Sequence, residues 1–301
     1  MPCVRIVCGP TAAGKSAIAL ELAATHNLTI ISADSRQLYR GFDIGTAKPS
    51  RAEQESVPHW GVDIADPMER WSAARWAAHA ADVIARTGAD RVLVVGGTGL
   101  YLNALISPLF DEPPTDPIRR AALVHELDAW PLAKLRDWAR RLDPARAHLG
   151  RTQLMRSVEV ALLSGERLST LHKESGTAVR FRARWLVVDP GAPLQEQIAC
   201  RVASMLAAGW IDEARDLATH VDPDAPAWQA CGYAAIRAVA RGEQALQDVQ
   251  PGILVHTRQY AKRQRTWFRH QLAGADVTRL DPRERGAAGT VDAWWGAQES
   301  P

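Results

Sequence analysis

The chain has 301 residues, of which 47% are hydrophobic and 23% charged, and its net charge is only +2. These values suit one large domain or two modest ones with a sizeable core. They exclude a global basic field, so any nucleic-acid site must be a local patch.

Val4 to Cys8 is an apolar run ending at Gly-Pro, which predicts a strand buried on both faces. GPTAAGKS (Gly9, Pro10, Thr11, Ala12, Ala13, Gly14, Lys15, Ser16) follows, and SAIALELAAT from Ser16 to Thr25 predicts a helix. Leu28 to Ser32 predicts a second strand, Trp71 to Thr87 a helix stopped by Gly88, and Arg91 to Val95 a third strand ending in Gly96-Gly97-Thr98. SPLFDEPPTDP then breaks the pattern with four prolines in eleven residues. A helical, charged stretch runs on to about Phe181, before the strand Trp185 to Val188. Alternating strands and helices predict an α/β fold, a phosphate-loop-type parallel sheet with helices on both faces. The core is expected at 1–111 plus 182–301, with C-terminal helices, and a helical insertion at 112–181. Pro193 to Leu217 reads as one long helix containing Gly209, and Ile253 to Leu272 as another. The tail after Gly274 reads as weakly ordered.

Cys3, Cys8, Cys200 and Cys231 form no Cys-x-x-Cys and no metal-spaced set with histidines. They are expected as isolated buried thiols. The N-terminal apolar run is too short for a signal peptide. No stretch approaches the ~20 apolar residues that cross a bilayer, so a cytoplasmic protein without membrane association is expected.

Four stretches carry chemistry. GPTAAGKS meets the phosphate-loop spacing in full, between a strand and a helix. Its N–H groups and the helix dipole favour an anion, Lys15 would reach outer phosphate oxygens, and Ser16 would ligate Mg2+. Asp34 follows the second strand at the carboxyl edge of the sheet, where it is either a metal-water ligand or general base, or the cap of the next turn. Gly41, Asp43, Gly45, Thr46 and Lys48 follow in a loop that could touch ligand. Thr98 is either a site hydroxyl or a helix cap. No acidic residue ends the third strand, unlike ordinary ATPases. Finally, Arg258, Lys262, Arg263, Arg265 and Arg269 lie on a helix without acids, and four of them recur at three or four residues, so they form either a phosphate-contacting face or a solvated one. Trp267 and Phe268 either pack in the core or stack on a base.

GPTAAGKS, SADSRQLYRGFDIGTAKP, VVGGTGLYLNAL, RSVEVALLSG, CGY at Cys231 to Tyr233 and RQYAKRQRTWFR run in order along nearly the whole chain. Together they resemble the tRNA dimethylallyltransferases. The resemblance implies that the loop holds the diphosphate of dimethylallyl diphosphate and that carbon is attacked, by N6 of the adenosine 3′ of the anticodon. It implies Asp34 as the base that also holds the adenine amine, and Thr98 as the hydroxyl on the oxygen between prenyl carbon and phosphorus. It implies tRNA contacts at Asp34, Ser35, Arg36, Gln37, Arg120, Thr152, Gln153, Leu154, Met155, Arg156, Gln229, Gly232 and Tyr233, with backbone phosphates near Arg258, Lys262 and Arg263. Arg156 keeps the family residue, whereas Thr152 and Gln153 depart from it. The insertion would grip the anticodon stem-loop of an extruded adenosine. A monomer is expected. The competing readings are a small-molecule kinase and an NTP-dependent RNA-binding module.

Overall fold

A computed structural model describes residues 1–107, 115–174, 179–274 and 276–297. The chain divides into two compact units, Met1–Ile106 with Val179–Pro301, and Ser107–Ala178. The boundary expected at 111/112, with Pro113, lies outside the described residues.

The larger unit contains β1 (Cys3–Cys8), α1 (Lys15–His26), β2 (Thr29–Ser32), α2 (Arg51–Ser56), β3 (His59–Trp60), α3 (Ala73–Thr87), β4 (Val92–Gly96) and α4 (Gly99–Ile106). The smaller unit contains α5 (Pro117–Asp128), α6 (Leu132–Leu142), α7 (Arg151–Ser164) and α8 (Leu168–Glu174). The larger unit resumes with β5 (Arg182–Val188), α9 (Leu194–Ala207), α10 (Trp210–His220), α11 (Tyr233–Ala240), α12 (Leu246–Gln271), β6 (Val277–Leu280) and α13 (Ala287–Gly296).

Among the described residues six strands form one sheet in the order β3-β2-β4-β1-β5-β6, and every pairing among them is parallel. Val4, Ile6 and Val7 of β1 and Leu93 and Val94 of β4 are fully buried, which is why these strands read as continuous apolar runs. Parallel connections bring the loops after β1, β2 and β4 to the carboxyl edge. Gly96 permits a close approach there. A Cβ on it would lie 2.2 Å from the Ala33 carbonyl oxygen, so any side chain would push β2 and β4 apart.

Three expectations about the C-terminal half are corrected. The stretch Pro193 to Leu217 is two helices, because Gly209 (φ +97) takes a left-handed turn between α9 and α10. Residues 276–297, expected to be weakly ordered, carry regular structure: β6 pairs with β5, and Trp294 of α13 is buried in the core cluster with Leu280. Alternation in VTRL was too short to separate from loop. The helix α12 also begins earlier than Ile253. Pro251 removes one helical hydrogen bond, but the buried face of Ile253, Ala261, Gln264 and Phe268 anchors the helix beyond it.

In the smaller unit, Leu127, Trp130, Leu135, Ala139, Leu154 and Val158 form the core. Asp116 caps α5 by accepting from the Ile118 N–H at 2.9 Å. Leu154 is fully buried, which corrects its assignment as a tRNA contact: its side chain packs α7 into the unit. Leu154→Ala should lower stability by about 2–5 kcal/mol through the cavity it leaves. Denaturant unfolding followed by Trp130 and Trp138 fluorescence measures this, and a loss below ~1 kcal/mol would mean the unit repacks.

Candidate active site

The phosphate loop joins β1 to α1, and Lys15 opens the helix. The Lys15 ammonium donates to the Pro10 carbonyl at 2.6 Å. Burial, followed by the nearby Arg201 guanidinium, pushes the Lys15 pKa down to about 8, against partial support from Asp34. An anion bound at the loop would raise it again. Affinity for inorganic diphosphate should therefore be full below pH 8 and fall as pH rises through it, because deprotonated Lys15 gives no charge to the anion. Calorimetry at pH 7, 8 and 9 on the unsubstituted protein and on Lys15→Gln tests this. Parallel curves for the two would remove Lys15 as the titrating group, since diphosphate's own ionisation is common to both.

Asp34 and Ser35 follow β2. The carboxylate Oδ1 of Asp34 accepts from the Arg36 N–H at 2.8 Å, closing an Asx turn. Among the described residues Oδ2 accepts no hydrogen bond. One oxygen of Asp34 thus shapes the turn, and the carboxylate also lines open space.

That space consists of two cavities. One, of about 250 Å³, is lined by Lys15, Ser16, Gln37, Gly97 and Gln264. The other, of about 520 Å³, is lined by Arg36, Trp210, Trp228, Gln229, Gly232 and Tyr260. Thr11, Asp34 and Arg201 line both. A carboxylate and a guanidinium therefore stand where a phosphate-side cavity and an aromatic-walled cavity share residues.

Thr98 lines neither cavity. Its carbonyl starts α4 by accepting from Tyr101 and Leu102, but its hydroxyl does not cap that helix. The Thr98 Oγ1 accepts from the Ser35 N–H at 3.2 Å, and the Tyr260 hydroxyl lies near it. Burial, with the charge of Asp34 adding, pushes the Tyr260 phenol up, so it stays neutral. The Thr98 hydroxyl is thereby tied to the Asp34-Ser35 turn.

Several predicted contact residues hold structure instead. Tyr233 is fully buried, and its hydroxyl donates to Glu213 Oε1 at 2.6 Å while accepting from the Gly45 N–H at 3.1 Å. Glu213 Oε2 also accepts from the N–H groups of Asp43 and Ile44, at 3.0 and 2.6 Å. Lys48, 2% exposed, donates to the Tyr39 carbonyl and pairs with Asp43 and Asp63. The DIGTAKP stretch is thus a hydrogen-bonded knot: the charges of Asp43 and Lys48 satisfy each other and leave no ammonium for a ligand. Gln37 behaves likewise, accepting from Ser32 and donating to the Ala47 carbonyl at 2.9 Å each.

In the smaller unit Arg120 and Arg156 both pair with Glu159 Oε1, each at 2.7 Å. Thr152 and Gln153 are exposed, Met155 is half-buried against the core, and Gln153 accepts from the Gly150 N–H at the start of α7.

On α12, Arg258, Lys262 and Arg269 are exposed. Arg265 departs from that basic face, because it pairs with Asp189 at the end of β5. Arg263 lines both the larger cavity and a surface groove on α12 bordered by Trp267. Phe268 is core, 1% exposed, and Trp267 is half-buried. The aromatic walls of the larger cavity are Trp210 and Trp228, which sequence reasoning did not select.

It also missed Arg201, since one arginine within an amphipathic helix carries no local signal. Cys200 is exposed, which corrects the expectation that all four thiols are buried. Burial pushes the Cys8 thiol far up and leaves it inert. Among the described residues, no group of three His, Cys, Asp or Glu could hold a metal, and no helix is long and apolar enough to cross a membrane.

A parallel sheet with a phosphate loop at its carboxyl edge, a carboxylate after β2 and a hydroxyl in place of an acid after β4 defines a phosphate-loop α/β enzyme. Within that class, the IPP transferase model matches residues 37–271 and the isopentenyl transferase model residues 2–60. The chain belongs to the IPP transferase family. It is 40% identical over 294 residues to the tRNA dimethylallyltransferase of Deinococcus radiodurans, covering 94% of each chain. It is 41% identical over 295 residues to that of Gloeobacter violaceus, covering 92% of each. Among solved structures, the full-length tRNA isopentenylpyrophosphate transferase of Bacillus halodurans is 32% identical, with a TM-score of 0.64 over 97% of both chains.

Proposed function

We propose that the chain transfers the dimethylallyl group of dimethylallyl diphosphate to N6 of the adenosine 3′ of the anticodon in tRNA. The observation that carries this reading is that Asp34 lines both cavities, with Lys15 in one and Trp210 and Trp228 in the other. The diphosphate enters the smaller cavity against the loop N–H groups, Lys15 and Arg201. The extruded adenine enters the larger one between aromatic walls.

The adenine amine is a poor nucleophile because its lone pair is delocalised into the ring. Asp34 accepts its proton as the new C–N bond forms, and the C–O bond to diphosphate breaks. Negative charge grows on the leaving oxygens, where Lys15 and Arg201 oppose it, and the Thr98 hydroxyl, one residue past the cavity-lining Gly97, is assigned to the bridging oxygen. Ser16 faces the same cavity and fits a Mg2+ ion carried in by the diphosphate, because the described residues offer no acidic cage and Mg2+ takes phosphate oxygens readily. Bound there, the ion would add charge neutralisation.

Arg36, Gln229, Gly232 and Arg263 line the larger cavity and are assigned to the tRNA. Exposed Arg258 and Lys262 are assigned to its backbone phosphates, and the exposed Thr152 and Gln153 of the smaller unit to the anticodon stem-loop. We assign the reaction to a monomer, in the cytoplasm with its tRNA. A kinase is disfavoured, because β4 ends in Gly96-Gly97-Thr98 without an acid.

The test supplies an unmodified anticodon stem-loop with labelled dimethylallyl diphosphate or labelled ATP. Label should move from the prenyl donor to adenosine. Loss of γ-phosphate from ATP without prenyl transfer would return the chain to the kinases.

A further inference from the structure

The helix α12 reaches the site with one buried polar side chain. Tyr260, Gln264 and Phe268 are spaced by four residues and share a face. Phe268 is core, Tyr260 lies near Thr98, and Gln264 lies between them, 6% exposed. Both ends of its amide are used. The Oε1 accepts from the Thr11 N–H at 2.8 Å, and the Nε2 donates to the Gly97 carbonyl at 2.9 Å. Only this orientation satisfies both loops, since a flipped amide would set donor against donor and acceptor against acceptor. The fit leaves no room on the far side: a Cβ on Gly97 would lie 2.3 Å from Gln264 Nε2.

Thr11 belongs to the phosphate loop, and Gly97 immediately precedes Thr98. We infer that Gln264 is a positioning residue that sets the Thr98 hydroxyl at a fixed distance from the phosphate loop. This rests on the proposed function, in which the loop holds the diphosphate and Thr98 meets the bridging oxygen. Small displacements matter there, because charge develops on one particular oxygen.

The test is a double-mutant cycle with Thr98→Ala. Gln264→Met keeps length and volume but removes both hydrogen bonds. Rates are normalised to the fraction of chains that bind inorganic diphosphate, which takes out misfolded protein. In the otherwise unsubstituted protein, Gln264→Met should lower kcat by about 30- to 100-fold, with both KM values held within about threefold. In the Thr98→Ala background it should cost less than about threefold, because the group it positions is gone. Equal cost in both backgrounds, or a cost confined to KM, overturns the proposal and leaves Gln264 a structural clamp. Should Gln264→Met fail to fold, Gln264→Glu goes through the same cycle, since it keeps the acceptor to Thr11 and sets a carboxylate oxygen against the Gly97 carbonyl. Absence of prenyl transfer by the unsubstituted protein is a different result: it overturns the function itself, and the proposal with it.

Discussion

Asp34→Asn should lower kcat for prenyl transfer by about 10²–10⁴-fold, the range of general-base catalysis, while affinity for the anticodon stem-loop changes less than about threefold. The substitution is nearly isosteric. The amide oxygen still accepts from the Arg36 N–H, so the turn that holds Ser35 and, through it, Thr98 stays closed. What disappears is an oxygen able to take the amine proton. Steady-state kinetics beside filter binding of the stem-loop separate the two effects. A matching loss of tRNA affinity would make Asp34 a binding group and remove it as the base.

Arg201→Gln should lower kcat/KM for dimethylallyl diphosphate by about 10²–10³-fold, as expected when one preorganised charge is removed from a developing anion. Arg201 lines both cavities and is half-buried; desolvation depresses its guanidinium, and Asp34 offsets part of that cost. A second consequence has a definite sign. Arg201 is one of the charges that holds Lys15 down at about 8. Without it the lysine pKa rises, so the loss of diphosphate affinity at high pH should move to higher pH in the variant. Weaker binding with an unmoved pH profile would mean that Arg201 meets the ligand without acting on Lys15. An unchanged kcat/KM would remove it from the site.

The way α9 carries Arg201 shows what sequence spacing conceals. Leu194, Ile198 and Val202 bury one face of that helix, and a single arginine among them reads as surface. Its approach to the loop depends on where the whole helix docks, about 190 residues further along the chain. Tyr233 and Leu154 fail in the opposite direction. Each falls within a motif, yet one binds Glu213 inside the knot and the other fills a helical core. A motif records which residues are required, and packing requirements look the same on paper as ligand contacts.

The amino-acid sequence by itself determined the phosphate loop, the three strands that feed the carboxyl edge, and the placement of Asp34 and Thr98 at their ends. Those features are local: a buried strand, a glycine turn and a helix start are each written in fewer than a dozen adjacent residues. Only the tertiary structure decided that Thr11, Asp34 and Arg201 share two cavities, that Gln264 ties the loop to Gly97, and that Arg265 leaves the basic face for Asp189. The first two join elements from opposite halves of the chain, and the third joins α12 to the end of β5. Such contacts follow from the burial of whole helix faces against the sheet, where the free energy is a property of the assembled core and not of any one segment.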